Sequence, residues 1–165
     1  MLTLTLSDGL TARLNAAIAA AADFTPAMRT IADAMHANAQ QYFETERGPD
    51  GKPWKPSRRA ADEGGRTLYD RGDLQQSLTA SHDARSAILG TNLPYAAIHQ
   101  FGGKITAKTA KGLRFMVGKG DAEHLVIVQS VTLPARPFLG FSAEDKVEIE
   151  GILERHLASA FEARS

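Results

Sequence analysis

Apolar positions recur along this chain with two periods, and the switches between them mark its elements. Leu2, Leu4 and Leu6 alternate with threonine, the period of a strand. Leu10, Leu14, Ala17, Ile18 and Ala21 then fall three or four apart, which predicts a helix, with Ser7 or Asp8 placed to cap its first turn. Thr25-Pro26 restarts a helix with a cap followed by proline, and Met28, Ile31, Met35, Ala39 and Tyr42 carry its stripe to about Phe43. Two amphipathic helices therefore open the chain.

From Arg47 to Arg66 the periodicity stops. Glycine, proline and charge dominate, and Trp54 is the single tryptophan. A long segment without period inside a domain is expected to be a functional or mobile loop, with Trp54 pinning it either to the core or to a partner. Asp70 or Asp73 can begin a short helix carrying Leu74 and Leu78. Arg71, just before it, is placed either to tie the long loop to the sheet or to stand in solvent. Thr79–Ser81 and Ile88–Gly90 predict a hairpin turning near Asp83-Ala84.

The organising stretch is Pro94–Gly103. Proline suits the first helical turn, Tyr95, Ile98 and Phe101 share one side, and two glycines end the helix. Strands are expected on either side, Ser86–Thr91 entering and Lys104–Thr106 leaving, so the bulky side chains should plug one end of a sheet. Closing a core, binding a ligand and meeting a neighbouring subunit are its three readings. Leu113, Phe115 and Val117 alternate in the middle of a glycine-punctuated arm over 104–120, half of a hairpin with His124–Leu133. Leu125–Val128 is apolar on both faces and is expected to be central or covered. Pro134–Phe141 reads as an extended connector, because each proline fixes its own φ and disfavours helix in its predecessor. Ser142 caps a last helix with Glu144 and Asp145 in its first turn and Ile149, Ile152, Leu153, His156, Leu157, Ala160 and Phe161 as its stripe. The expected fold is a single α+β domain over 1–165, its N-terminal helices and C-terminal helix packed on a small, mainly antiparallel sheet.

Composition narrows the chemistry. The 165 residues are enough to bury a core unaided, and the absence of cysteine excludes disulfides, thiolate nucleophiles and Cys-ligated metals. No apolar run approaches the roughly 20 residues that cross a bilayer, and the N-terminus lacks the charged start and cleavage site of a signal peptide. Nineteen bases and nineteen acids cancel, so the chain as a whole is not a polyanion binder. Locally the charge is segregated: Lys104, Lys108, Lys111, Arg114 and Lys119 lie in a stretch with no acid, whereas from Ser142 onward six acids face three bases.

No phosphate-binding glycine loop, nucleophile elbow or His-Glu-x-x-His pair is present. The five histidines are scattered, and Glu44/Glu46 and Asp62/Glu63 read as solvated charge. No catalytic set, metal site or cofactor can be nominated. The basic arm, with Phe115 among its charges, is the one feature suited to phosphate backbones, although lysines also protect strand edges from aggregation. A small DNA-contacting accessory protein is thus the alternative reading.

Several motifs in order carry a resemblance. Trp54-Lys-Pro-Ser precedes Leu68-Tyr-Asp-Arg-Gly-Asp-Leu74, then come Gly90-Thr-Asn, Pro94-Tyr-Ala-Ala-Ile-His-Gln-Phe-Gly-Gly103 and Pro134-Ala-Arg-Pro-Phe-Leu139. Together, from about Thr30 to Leu157, these resemble the phage virion morphogenesis family, the tail-completion and neck proteins of Mu-like phages and prophages. The resemblance implies an α+β subunit acting late in virion assembly at or near the head–tail junction, without catalysis. It implies a homo-oligomeric ring with other head, neck or tail proteins as partners, in the host cytoplasm and then the virion. It marks Tyr95, His99, Phe101 and Gly102 at the corner, and Arg136, Pro137 and Phe138 at the connector, as structural or interface positions. The basic arm around Thr106–Gly112 is not accounted for by the pattern.

Overall fold

The helical periods of the sequence are realised in a computed structural model that describes residues 8–118 and 123–162. The alternating segment at Met1–Leu6 and Lys119 lie outside the described residues. In chain order the elements are α1 (Asp8–Ala22), α2 (Thr25–Thr45), α3 (Arg58–Glu63), α4 (Asp73–Gln76), β1 (Thr79–His82), β2 (Ala87–Gly90), α5 (Ala96–Phe101), β3 (Gly103–Thr106), β4 (Leu113–Val117), β5 (His124–Val128), β6 (Ser130–Leu133) and α6 (Ala143–Glu162). The class is α+β. The strands form three two-stranded ribbons, β1–β2, β3–β6 and β4–β5.

Two compact units are present. The first takes residues up to His36, Ala80–Leu89 and the chain from Ala143. Asp23 separates its first two helices: the Oδ1 atom accepts the Thr25 amide at 2.9 Å, so the cap acts two residues before the proline-marked restart. Ala27, Ile31 and Ile152 form the buried core, with Phe24, Met28, Met35, Ala87, Ile149 and Leu153 packed around them. Burying an isoleucine stabilises a fold by roughly 1.5–3 kcal/mol, so α2 and α6 are held mainly by this stripe. His156 is half-buried, as its place on the stripe predicts: its ring lies 5.2 Å from that of Phe24 and its Nε2 lies 3.1 Å from the Asp23 carbonyl. Helix α1 packs along α6, yet Leu14 and Ile18 of the predicted stripe remain exposed. The hairpin turn is fixed by Asp83, whose carboxylate accepts the amides of Arg85 and Ser86 at 2.7 and 2.8 Å and the Ser86 hydroxyl at 2.7 Å.

The second unit comprises Ala37–Thr79 and Gly90–Ser142. Its centre is aromatic. Phe43 is fully buried, with the rings of Trp54 and Phe138 each 5.5 Å away, the former edge-on. Leu74 and Leu78 are buried as their spacing predicts.

Strands β3 and β6 pair antiparallel from Gly103↔Leu133 to Thr106↔Ser130, and β4 and β5 from Leu113↔Val128 to Val117↔His124. Gln129 alone separates β5 from β6, while residues 107–112 stand opposite it. The Ala107 amide donates to the Gln129 carbonyl at 2.8 Å, and Gln129 Nε2 donates to the Ala110 carbonyl at 3.3 Å. The arm and His124–Leu133 are therefore successive ribbons with an insertion on one side. One expectation fails here. Among the described residues, Leu125–Val128 is neither central nor covered: β5 bonds only to β4, and Leu125 and Ile127 are 54% and 50% exposed. Two-sided apolarity requires a cover, but nothing in the pattern says that the cover must belong to the same chain.

Candidate interaction surfaces

Gln100 brings the two motifs of the resemblance together. Its Oε1 accepts the amides of Phe138 and Leu139, both at 3.0 Å, and its Nε2 donates to the Leu139 carbonyl at 2.7 Å. One residue earlier, the His99 carbonyl accepts the Arg136 amide at 2.7 Å. The helix can approach so closely because it ends at Gly102, with φ +67° and ψ −177°. A Cβ there would stand 2.5 Å from the Ala135 nitrogen and 2.9 Å from the Leu133 carbonyl oxygen.

The segment 47–66 joins the same assembly. Trp54 Nε1 donates to the Pro137 carbonyl at 2.9 Å, and the Arg136 guanidinium donates to the Lys55 and Pro56 carbonyls at 2.7 and 3.2 Å. Glu46 fastens both ends: its carbonyl accepts the Trp54 amide at 2.8 Å and its carboxylate accepts the Thr67 amide at 2.7 Å. The segment also contains α3, capped by Ser57, whose hydroxyl accepts the Ala60 amide at 3.1 Å. Trp54 thus packs into the core. Trp54, His99, Gly102, Arg136, Pro137 and Phe138, far apart in sequence, meet in one clamp.

One expectation is corrected. Tyr95, Ile98 and Phe101 do not form a plug, since Tyr95 is exposed and Phe101 is 77% exposed. The buried side of α5 is instead Ala96, because the docking surface is backbone, which admits small and hydrogen-bonding side chains. Arg71 stands in solvent, the second of its two expected placements, with no hydrogen bond or ion pair among the described residues. Arg136 and Arg59 make the ties, the latter donating through Nη2 to the Arg66 and Tyr69 carbonyls at 2.8 Å each. Gln100, Glu46 and Arg59 escape sequence reasoning because amide, carboxylate and guanidinium contacts to distant backbone leave no periodic mark. The rhythm of α2 did extend to Phe43.

Beside the clamp lies a cleft of about 370 Å³ whose lining includes Arg58, Arg59, Arg71, Tyr95, His99 and Arg136. Burial, and then the Arg136 charge, hold the His99 pKa below its ordinary 6.5. His99 Nδ1 is buried without a hydrogen-bond partner among the described residues. The Tyr95 and His99 rings meet edge-on at 6.0 Å.

The second surface is the β4–β5 ribbon. Arg114 and Met116 share a face with Ile127 and Leu125 across the ladder, and all four are exposed. Lys104, Lys108 and Lys111 are exposed at its base. Among the described residues there is no cluster of side chains suited to hold a metal, and no helix is long and apolar enough to cross a membrane.

The described chain is an α+β protein with a backbone clamp in its second unit and a β4–β5 ribbon that exposes large apolar side chains. Residues 7–158 match the model of the phage virion morphogenesis family, and the chain belongs to that family. It is 35% identical over 140 residues to Mu-like prophage FluMu G protein 2 of Haemophilus influenzae, covering 85% of this chain and 83% of that one. Over 141 residues it is 28% identical to the putative capsid assembly protein G of Escherichia phage Mu, covering 80% and 78% of the two chains. No solved structure matches the chain.

Proposed function

We propose that this protein completes the phage tail or joins head to tail as one subunit of an oligomeric neck or tail assembly. It would act in the host cytoplasm during assembly and remain in the virion. Membership of a virion morphogenesis family supports the process, and the exposed apolar side chains of the β4–β5 ribbon support association with other proteins as the mode of action. A two-stranded ribbon with large apolar side chains on its outer face is marginal in water alone, and patches of this kind mark contacts with other proteins. Head-to-tail association in a ring repeats one heterologous contact, which needs two different complementary faces. The basic ribbon and the acidic α6 differ in the required sense.

The exposure of Lys104, Lys108, Lys111 and Arg114 favours a second reading, in which the ribbon contacts DNA through phosphates. The apolar side chains between these charges favour protein. Electron microscopy of particles assembled without this protein is the test: free heads beside free tails support a joining role, and normal particles overturn it. Retention on duplex DNA that disappears with added salt would favour the second reading.

A further inference from the structure

Among the described residues, Arg136 is a charge without a counter-charge. Its side chain is almost wholly buried, at 4% exposure. Among the described residues, the guanidinium donates only to the carbonyls of Lys55 and Pro56. Among the described residues, no carboxylate lies within the 4.0 Å of an ion pair. Burying an ion costs several kcal/mol even after relaxation, which is why buried charges are normally paired. Carbonyl dipoles offset part of this cost and leave positive potential on the wall of the adjoining cleft.

The rest of the cleft has the same sign. Guanidinium groups outnumber carboxylates four to two along its lining. Asp70 lies 3.8 Å from Arg59 Nε, and Arg58 is paired with Asp62 at 3.4 Å on the rim. Arg71 is exposed and carries no ion pair among the described residues. His99 adds the buried, unpartnered Nδ1, and the exposed Tyr95 ring beside it offers an apolar wall. The volume falls in the range of cavities that enclose a small ligand or a few side chains.

We infer that this cleft is a receptor for the carboxylates of an acidic peptide segment supplied by a partner protein, with Arg136 and Arg71 facing the anion. Guanidinium groups suit a planar carboxylate because their paired N–H groups match its two oxygens. A phosphodiester backbone fits less well, because the cleft is short, is walled on one side by Tyr95 and carries Asp70 and Asp73 in its lining. The site is separate from the β4–β5 ribbon, so the proposal goes beyond the oligomeric reading and does not need it.

The test is a titration of the full chain, followed by backbone amide NMR, with three probes at constant ionic strength. These are a short end-blocked peptide alternating glutamate and alanine, its glutamine counterpart, and inorganic phosphate. The glutamate peptide is expected to shift the amides of Arg71, His99 and Leu133 saturably, and the glutamine peptide is not. R71Q, at an exposed side chain without internal partners, should retain the fold and bind roughly tenfold more weakly, the scale of one charge-assisted hydrogen bond. K108E on the ribbon should bind as the parent does. Equal binding of the two peptides, phosphate binding as tightly as the glutamate peptide, or loss of binding in K108E but not R71Q would each overturn the proposal. Loss of self-association in K108E with peptide binding intact would leave it standing.

Discussion

Gln100 grips Leu139 at both backbone polar groups, accepting its amide at 3.0 Å and donating to its carbonyl at 2.7 Å, and the same Oε1 also accepts Phe138 N–H. No sheet or helix ladder provides for these backbone groups, so a side chain has taken the place of a strand. Each such bond contributes about 1 kcal/mol net, and more is lost when a buried partner is left bare. Gln100→Ala should therefore destabilise the protein by about 2–4 kcal/mol, lowering the melting temperature by roughly 5–15 °C for a chain of this size. Gln100→Glu should also destabilise, because a carboxylate keeps the two amides but cannot donate to the Leu139 carbonyl and sets an oxygen against it. Calorimetry measures the first effect. Hydrogen exchange at the Phe138 and Leu139 amides should accelerate in Gln100→Ala, which removes their acceptor.

Gly102 and Gly51 separate two reasons for glycine. Both have positive φ, +67° and +73°, but a Cβ at Gly51 meets nothing within 4 Å, whereas one at Gly102 meets backbone at 2.5 Å. Gly51→Ala should cost about 1–2 kcal/mol, the left-handed penalty alone. Gly102→Ala adds a clash that only movement of the connector relieves, and should cost more than about 3 kcal/mol. Equal losses in denaturant titrations of the two variants would show that the close approach of α5 to Ala135 does not hold in solution.

Trp54, the single tryptophan, reports on the clamp directly. Trp54→Phe keeps an aromatic edge against Phe43 but removes the donor to the Pro137 carbonyl, at an expected cost of about 1–3 kcal/mol. Trp54→Ala also empties the site and should cost about 3–5 kcal/mol. In the parent protein, tryptophan fluorescence should follow the same unfolding transition as circular dichroism. A separate early fluorescence change would mean that the segment 47–66 opens before the rest.

Two groups hold folded pKa values below their ordinary ones, so both make stability fall as pH falls, in different windows. The His99 pKa is held below 6.5 by burial and by Arg136, so its neutral form is the one the fold accepts. Above 6.5 it is neutral in both states and contributes nothing. As pH falls below 6.5 the unfolded chain takes up a proton first, and stability declines until the folded pKa is reached. Asp83 is held below its ordinary 3.8, chiefly by the Arg85 amide and then by Ser86. It contributes stability above 3.8 that disappears as pH falls through its lowered folded value. His99→Gln should flatten the stability profile just below pH 6.5, and Asp83→Asn only the acid limb below 3.8. Denaturant midpoints measured across both windows test the assignment.

Much of this fold was legible as rhythm. Stripes such as Ile31–Ala39 and Ile149–Leu153 specify helices because one side of each must leave water, and the Asp83 turn follows from the chemistry of its own side chain. The clamp was half legible: Trp54, Gly102, Arg136 and Phe138 were marked as special, but not by what they touch. Gln100 looked like an ordinary polar helix residue, since an amide that bonds backbone far along the chain has no local signature. Phe101 misled for the complementary reason. Spacing places it on a face, but only the partner surface decides whether that face is covered, and the connector presents its backbone to α5 elsewhere.

The same distinction governs β5. Leu125 and Ile127 satisfy the pattern of a covered strand while lying half exposed, so their cover must come from another molecule if the pattern reflects burial. Ile127→Lys and Leu125→Glu should each leave the unfolding free energy within about 0.5 kcal/mol of the parent, as exposed positions do, while reducing self-association. The double change Lys108→Glu with Lys111→Glu should weaken the same association through charge, more at low salt than at high salt, because exposed charges are screened over about 10 Å at 0.1 M. Light scattering across a concentration series distinguishes the two terms. Apolar variants should lower the mass at every salt concentration, and charge variants chiefly in dilute salt. An unchanged mass in all of them would remove the ribbon from the proposed contact between subunits.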